Sequence, residues 1–171
     1  AVQIEMLVSD IDYMARNVAA VWAEHGHAAV LEASAIIAQS LPEGALTQVA
    51  VADAQGIIRF SSLGEGGQPG RLVSIADREH FRAHGEGLPE QLFISEPLVG
   101  RLSDAWSVQF TRPVLREGRF DGIVIVSISP EYLSGAFRAI LPDPREAVLL
   151  VRNDGTYLAR SHYFDQISGQ R

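Results

Sequence analysis

The 171-residue sequence contains no cysteine. This excludes thiolate zinc sites, iron–sulfur ligation, a cysteine nucleophile and any disulfide framework, and leaves the cellular compartment open. It also contains no lysine: all 14 basic residues are arginines, against 21 Asp and Glu, for a net charge of −7. An acidic chain of this kind lacks the basic surface on which nucleic-acid affinity depends. No apolar run approaches the roughly 18 to 20 residues needed to cross a bilayer, and no basic flank with an apolar core opens the chain as a signal peptide would. Proline and glycine are missing from Val2 to Ser40 except for Gly26. The composition that remains, 47% hydrophobic and 20% charged, is that of an ordinary folded domain, and the length suits one domain with a real core, or one plus a fragment. The chain opens at Ala1 rather than Met, which reads as a segment of something longer whose flanking membrane helices would lie outside it.

Good helix formers fill Val2 to Ser40, and Leu41-Pro42-Glu43-Gly44 stops them, so a single helix is predicted, nearly 60 Å long at about 1.5 Å per residue. Its apolar residues Ile4, Leu7, Ile11, Met14, Val18 and Val21 alternate steps of three and four, the a/d pattern of a coiled-coil seam. Leu7, Ile11, Met14 and Val18 are therefore expected at a parallel homodimer interface. The same stripe also suits a single amphipathic helix lying on its own domain. Gly26, between His25 and His27, suggests a local bend.

From Ala45 the period becomes strand-like. Val49 to Phe60 reads as a β-hairpin around Asp53-Ala54-Gln55-Gly56. The Gly-rich stretch Leu63 to Arg71 lacks both the Gly-Lys-Ser/Thr ending and the G-x-G-x-x-G spacing of phosphate loops, and is expected to be a flexible surface loop. Ser74 to Gly87 reads as a short helix, followed by strands Leu92 to Val99, Trp106 to Leu115 and Gly122 to Ser129. In the last, Ile123, Ile125 and Ser127 share one face and Val124, Val126 and Ile128 the other, so the strand should be central, with the N-terminal helix over one face and the short helix over the other. Pro130 to Ile140 is a brief helix and Leu141-Pro142-Asp143-Pro144 a linker. Ala147 to Arg160 then repeats the first hairpin, with a turn at Asn153-Asp154-Gly155. The division predicted is residues 1–40 as a signalling and dimerisation helix, 41–140 as a sensor-sized module, and 141–171 as a linker with the start of a truncated second module.

This pattern places the chain among α+β sandwiches. Asp77-Arg78-Glu79-His80-Phe81-Arg82-Ala83-His84, then Leu92 to Arg101, then Gly122 to Tyr132 are similar to the PDC (Cache) extracytoplasmic sensor modules of bacterial diguanylate cyclases and sensory histidine kinases, over about residues 40 to 160. The resemblance implies a PAS-like five-stranded antiparallel sheet with a long N-terminal helix. It also implies a periplasmic ligand sensor in a receptor anchored in the membrane on both sides of the sensor region, with a cytoplasmic output domain and often a second module.

The amino-acid-sensing branch of that family uses an Arg two residues before a Trp-Tyr pair, a Tyr-x-Asp after a Pro, and an Asp in the last strand. Arg78 matches the arginine, His80 and Phe81 stand for the aromatic pair, Leu98 and Gly100 for Tyr-x-Asp, and Ser127 for the last aspartate. The group that forks onto a carboxylate is kept and those that neutralise an ammonium are gone. The expected ligand is a carboxylate lacking an amine. Arg78 and Arg82 would meet the anion, His80 and Ser127 would add polar contacts, and Phe81 and Trp106 would form the apolar wall. A ligand-free dimerising spacer is the alternative.

Other chemistries are weaker. His80 and His84 lie four apart, as metal ligands on a helix can, but no third ligand follows them. A haem or flavin PAS domain needs an axial His or a reactive Cys in its pocket, and no Cys exists. No G-x-S-x-G elbow or fixed carboxylate pair marks an enzyme. No cofactor and no catalytic residue is expected.

Overall fold

The computed structural model describes residues 2–85, 90–139, 149–151 and 157–160. Its helices are α1 (Val2–His25), α2 (His27–Ser40), α3 (Glu79–Gly85) and α4 (Pro130–Ala139). Its strands are β1 (Leu46–Asp53), β2 (Ile58–Ser61), β3 (Phe93–Ile94), β4 (Leu98–Val99), β5 (Trp106–Arg116), β6 (Arg119–Ile128), β7 (Leu149–Val151) and β8 (Tyr157–Arg160). An antiparallel sheet runs β2-β1-β6-β5-β3, with β4 also paired to β5. The α+β, PAS-like five-stranded sheet expected from the sequence is present, and β6 is its central strand.

Alternation along β6 sends its side chains to two separate cores. Val124, Val126 and Ile128 join Val49, Val51, Val108 and Phe110 against the N-terminal helices. Ile123 and Ile125 join Ala50, Ala52 and Ile58 on the opposite face, under Val73, Ile75 and Phe81. The helical layer is further fastened by Asp12 of α1. Its carboxylate accepts both nitrogens of the Arg112 fork from β5, at 2.6 and 2.8 Å, with the two side chains only 18% and 14% exposed.

The predicted single helix is two. Gly26 takes φ 73° and ψ −150°, a conformation open essentially to glycine alone, and α2 turns back along α1. His27 then anchors the corner. Its Nε2 lies 2.9 Å from the Gly66 carbonyl oxygen, and its ring meets Phe60 edge-on at 5.2 Å. The glycine-rich loop is accordingly not a loose surface segment: Glu65–Gly67 forms a 3-10 turn with Gly67 buried, and a Cβ there would strike Phe60 and His27.

The predicted dimer seam is also corrected. Ile11 and Val18 are fully buried, and Leu7 and Met14 pack against the same two cores, so all four face the protein's own sheet. A helix lying flat on a sheet needs the same stripe as one lying on another helix. Among the described residues, Met6, Tyr13 and Ile36 are apolar or aromatic side chains of the helical layer that face outward, 59%, 71% and 66% exposed.

Two further elements differ from expectation. The Leu92 to Val99 strand is split into β3 and β4 at Ser95-Glu96-Pro97, where Pro97 has no N–H and the Ser95 hydroxyl accepts the Gln109 backbone N–H at 2.9 Å in place of a ladder bond. The Ser74 to Gly87 helix begins only at Glu79. Ser74 instead bridges to Ile57, and Gly87 lies outside the described residues. Of the expected repeat hairpin, β7 and β8 pair antiparallel from Leu149↔Arg160 to Val151↔Tyr157. The 141–144 linker and the 153–155 turn lie outside the described residues.

Ile11→Ala is expected to lower unfolding stability by about 2 to 5 kcal/mol through the cavity it leaves, whereas Tyr13→Ala should stay within about 0.5 kcal/mol. Urea denaturation checks both, and the reverse order would restore the seam to a partner.

Candidate functional site

The face of the sheet opposite α1 and α2 is apolar at one end and polar at the other. Gln48, Ser127 and Gln109 pair across β1, β6 and β5 in one row, on the same side as Ala50, Ile123 and Ile125. All three are buried, so their polar atoms have to be satisfied within the protein. The Ser127 hydroxyl donates to Gln109 Oε1, Gln109 Nε2 donates to the Ser107 hydroxyl at 2.8 Å, and Gln48 Nε2 donates to that of Ser61 at 2.9 Å.

Above this row is a small cavity of about 20 Å³, room for about one water molecule. Gln48 and Gln109 form its floor and Ile58, Ile75, Leu98 and Ile125 its walls. Arg78, His80, Arg101 and Leu102 close it. Arg78 is half-buried and its Nη2 donates to the Val99 carbonyl at 3.3 Å. Burial, and then the neighbouring Arg101, push the Arg78 pKa down. Asp77 opposes this only in part, and Arg101 takes both oxygens of that carboxylate, at 2.6 and 2.7 Å. The Arg101 fork holds the Asp77 carboxyl well below the usual range, and Arg101 itself is raised. The cavity is thus bordered by two guanidiniums over an uncharged floor, and the Asp77 carboxylate that pairs with Arg101 lies outside it.

The ligand residues predicted from sequence divide into two groups. Arg78 and His80 line the cavity, and Ser127 lies in the floor row through its bond to Gln109. Phe81 is instead part of the core beside it, its ring edge-on to Phe120 at 5.9 Å. Arg82 is exposed on α3 and does not border the cavity. Trp106 is 42% exposed at the outer end of β5, paired with Val99, and forms no wall of the site. Leu98 and Gly100, which stand where the amino-acid-sensing pattern has Tyr and Asp, both border it. A Cβ at Gly100 would run into the Ser103 hydroxyl, which would have to swing aside.

Sequence reasoning missed Gln48, Gln109 and Arg101. The two glutamines carried a readable signal, since each is a polar residue at an inward position of an otherwise apolar strand. Arg101 carried none, because its position depends on a turn folding over the 71–78 segment.

His80 and His84 are buried, 3% and 4% exposed, and each has an Nδ1 with no partner. His84 Nε2 lies 2.9 Å from Thr111 Oγ1. Among the described residues no group of three His, Asp or Glu side chains is placed to share a metal ion. Burial first, then the charges of Arg78, His84 and Arg101, depress His80 to about 4, with Asp77 opposing. Burial also depresses His84 to about 4, aided by Arg112 and opposed by the Thr111 bond.

No protein-family model matches the sequence. No curated protein matches it either. Solved structures do. The extracellular domain of the histidine kinase rpHK1S-Z16 superposes with a TM-score of 0.72 at 23% identity, over 99% of this chain and 66% of that one. The ligand-binding domain of the Pseudomonas fluorescens chemoreceptor CtaA, in complex with L-valine, gives 0.74 at 17% identity, over 98% and 71%. That of the Campylobacter jejuni chemoreceptor Tlp3, also in complex with L-valine, gives 0.68 at 13%, over 94% and 66%. The fold is that of these PDC (Cache)-like sensor domains, and the chain spans about two thirds of their length.

Because both histidines titrate lower in the folded state than their ordinary value of 6.5, the unfolded chain takes up protons first as pH falls. Their contribution is complete above about pH 6.5 and is lost toward pH 4, with a slope nearing about 1.4 kcal/mol per pH unit for each. Urea titrations from pH 7.5 to 4 should show that decline, and the double variant His80→Gln/His84→Gln should flatten it.

Proposed function

We propose that the chain is the extracytoplasmic ligand-sensing part of a membrane receptor and that its ligand is a small carboxylate lacking an amine, held between the polar row of the sheet and the 74–85 segment. The observation that carries this reading is the charge at the cavity. Arg78 is half-buried there on a single backbone carbonyl, and the floor has Ser127, Gln48 and Gln109 but no acid. An arginine fork so placed complements a carboxylate. An ammonium would find no carboxylate on that floor and would meet two guanidiniums. The similar ligand-binding domains of CtaA and Tlp3 are in complex with L-valine, which supports a small-molecule role for this fold, and the changes at Leu98, Gly100 and Ser127 argue for a different ligand class.

Signalling in this reading runs through the sheet. The site lies on one face of β6 and the α1–α2 layer on the other, so a ligand that favours one of two sheet arrangements biases the helices and, through flanking segments, an output domain. The cavity's size favours a second reading, a ligand-free spacer in the same kind of receptor, because about 20 Å³ admits no carboxylate as it stands.

A thermal-shift screen separates the two. Small carboxylates such as acetate, propionate, pyruvate and succinate are expected to raise the melting temperature by about 5 to 10 °C at a hundredfold excess over Kd, L-valine and L-serine to leave it unchanged, and Arg78→Ala to abolish the response. Stabilisation by the amino acids would overturn the ligand class. No response to any compound would favour the spacer, and a carboxylate response intact in Arg78→Ala would take that arginine out of the site.

A further inference from the structure

The space over the polar row is occupied by the turn that follows β4. Arg101 and Leu102 of that turn line the cavity, and the turn is tied to the 71–78 segment by hydrogen bonds of both backbone and side chains. Arg71 Nη2 donates to the Arg101 carbonyl at 2.5 Å, and Arg101 Nη1 donates to the Ser74 carbonyl at 2.6 Å. Arg101 also forks onto Asp77, while Arg78 donates to the Val99 carbonyl just before the turn. The Arg101 and Asp77 side chains are 35% and 69% exposed. Both groups are reachable from solvent, so an incoming carboxylate can compete with Asp77 for the Arg101 fork. Beside it His80, only 3% exposed, keeps an Nδ1 with no partner.

Resting on the reading above that this cavity is the ligand site, we propose that Arg101 is a second carboxylate-recognition residue and that Asp77 is its built-in competitor, holding the 100–104 turn shut until a ligand carboxylate takes Asp77's place. The Asp77 carboxylate already shows the geometry a ligand would adopt on Arg101, both oxygens on one fork. Displacing it frees the turn from its ion pair with the 71–78 segment and opens the cavity, with Arg78 waiting inside. A neutral molecule offers Arg101 no replacement and leaves the turn closed. Specificity for anions is then set at entry as well as in the bound state, and the net affinity is the ligand's affinity reduced by the competition with Asp77.

The test uses the whole chain and isothermal titration with formate, acetate, propionate and succinate. Asp77→Asn keeps the shape and removes the charge, so it should bind at least one of the four about tenfold more tightly than the unaltered protein. Arg101→Gln should lose that binding. The absence of native cysteine allows a second readout: a thiol placed by Leu98→Cys, inside the cavity, should react with a thiol reagent several-fold faster when combined with Asp77→Asn. Asp77→Asn binding none of the four, or none more tightly than the unaltered chain, overturns the proposal, as does an unchanged labelling rate. Carboxylate binding lost in Arg78→Gln but equal in Asp77→Asn and the unaltered chain would keep the site and discard the latch. Binding that survives Arg78→Gln and Arg101→Gln alike would discard the site itself.

Discussion

The constraint on which the rest depends is that β6 is buried on both faces. A central strand with Val124, Val126 and Ile128 to one side and Ile123 and Ile125 to the other leaves neither face to water, so each needs a covering layer. The α1–α2 hairpin supplies one and the 73–85 segment the other. The two covers differ in kind. The first is a pair of long helices with an apolar stripe and a buried Asp12–Arg112 fork. The second is a short helix and extended chain, which cannot fill the whole face. Where it falls short the sheet carries Gln48, Ser127 and Gln109 instead of aliphatic residues, and their side chains satisfy one another and nearby serines.

That difference decides where the polar residues of the sheet gather. The face under the long helices is a continuous apolar core, and the grooves there lie at its margins, along α1 and β5 and between α1 and α2. A face closed by a turn and a single helical segment leaves a seam, and here the seam is lined by two arginines, a neutral histidine and a polar floor. The electrostatic balance follows from the same arrangement. Asp77 sits outside the seam and pairs with Arg101, which leaves Arg78 inside with a backbone carbonyl as its partner. The site therefore carries excess positive charge although the protein as a whole is acidic.

The sheet also links the two layers physically. Adjacent residues of β6 point alternately into the site and into the helical core: Ser127 bonds Gln109 on one side while Val126 and Ile128 pack with Ile11 on the other. The strand is thus shared by the polar row on one face and by the core that α1 covers on the other.

Strand alternation in β6, the first hairpin, the brief helix at Pro130 and the α+β class were legible from sequence, because periodicity reports which side chains face inward regardless of what they face. The identity of the covering partner was not. Leu7, Ile11, Met14 and Val18 form the same stripe whether a second chain or the protein's own sheet lies beneath, and the choice was made by the apolar face of β5 and β6, which the stripe covers. Arg78, His80 and Ser127 could be picked out one at a time from the resemblance, while Phe81 and Arg82, from the same segment as Arg78, and Trp106, from outside the similar segments, lie in core or at the surface. The sequence by itself determined which residues are apolar at period two and period three to four, and hence the layers. Only the tertiary structure decided that Gln48, Ser127 and Gln109 form one row and that Arg101 rather than Arg78 holds Asp77. Those relations join residues up to 79 positions apart, and they follow from strand register and turn closure, which local pattern leaves free.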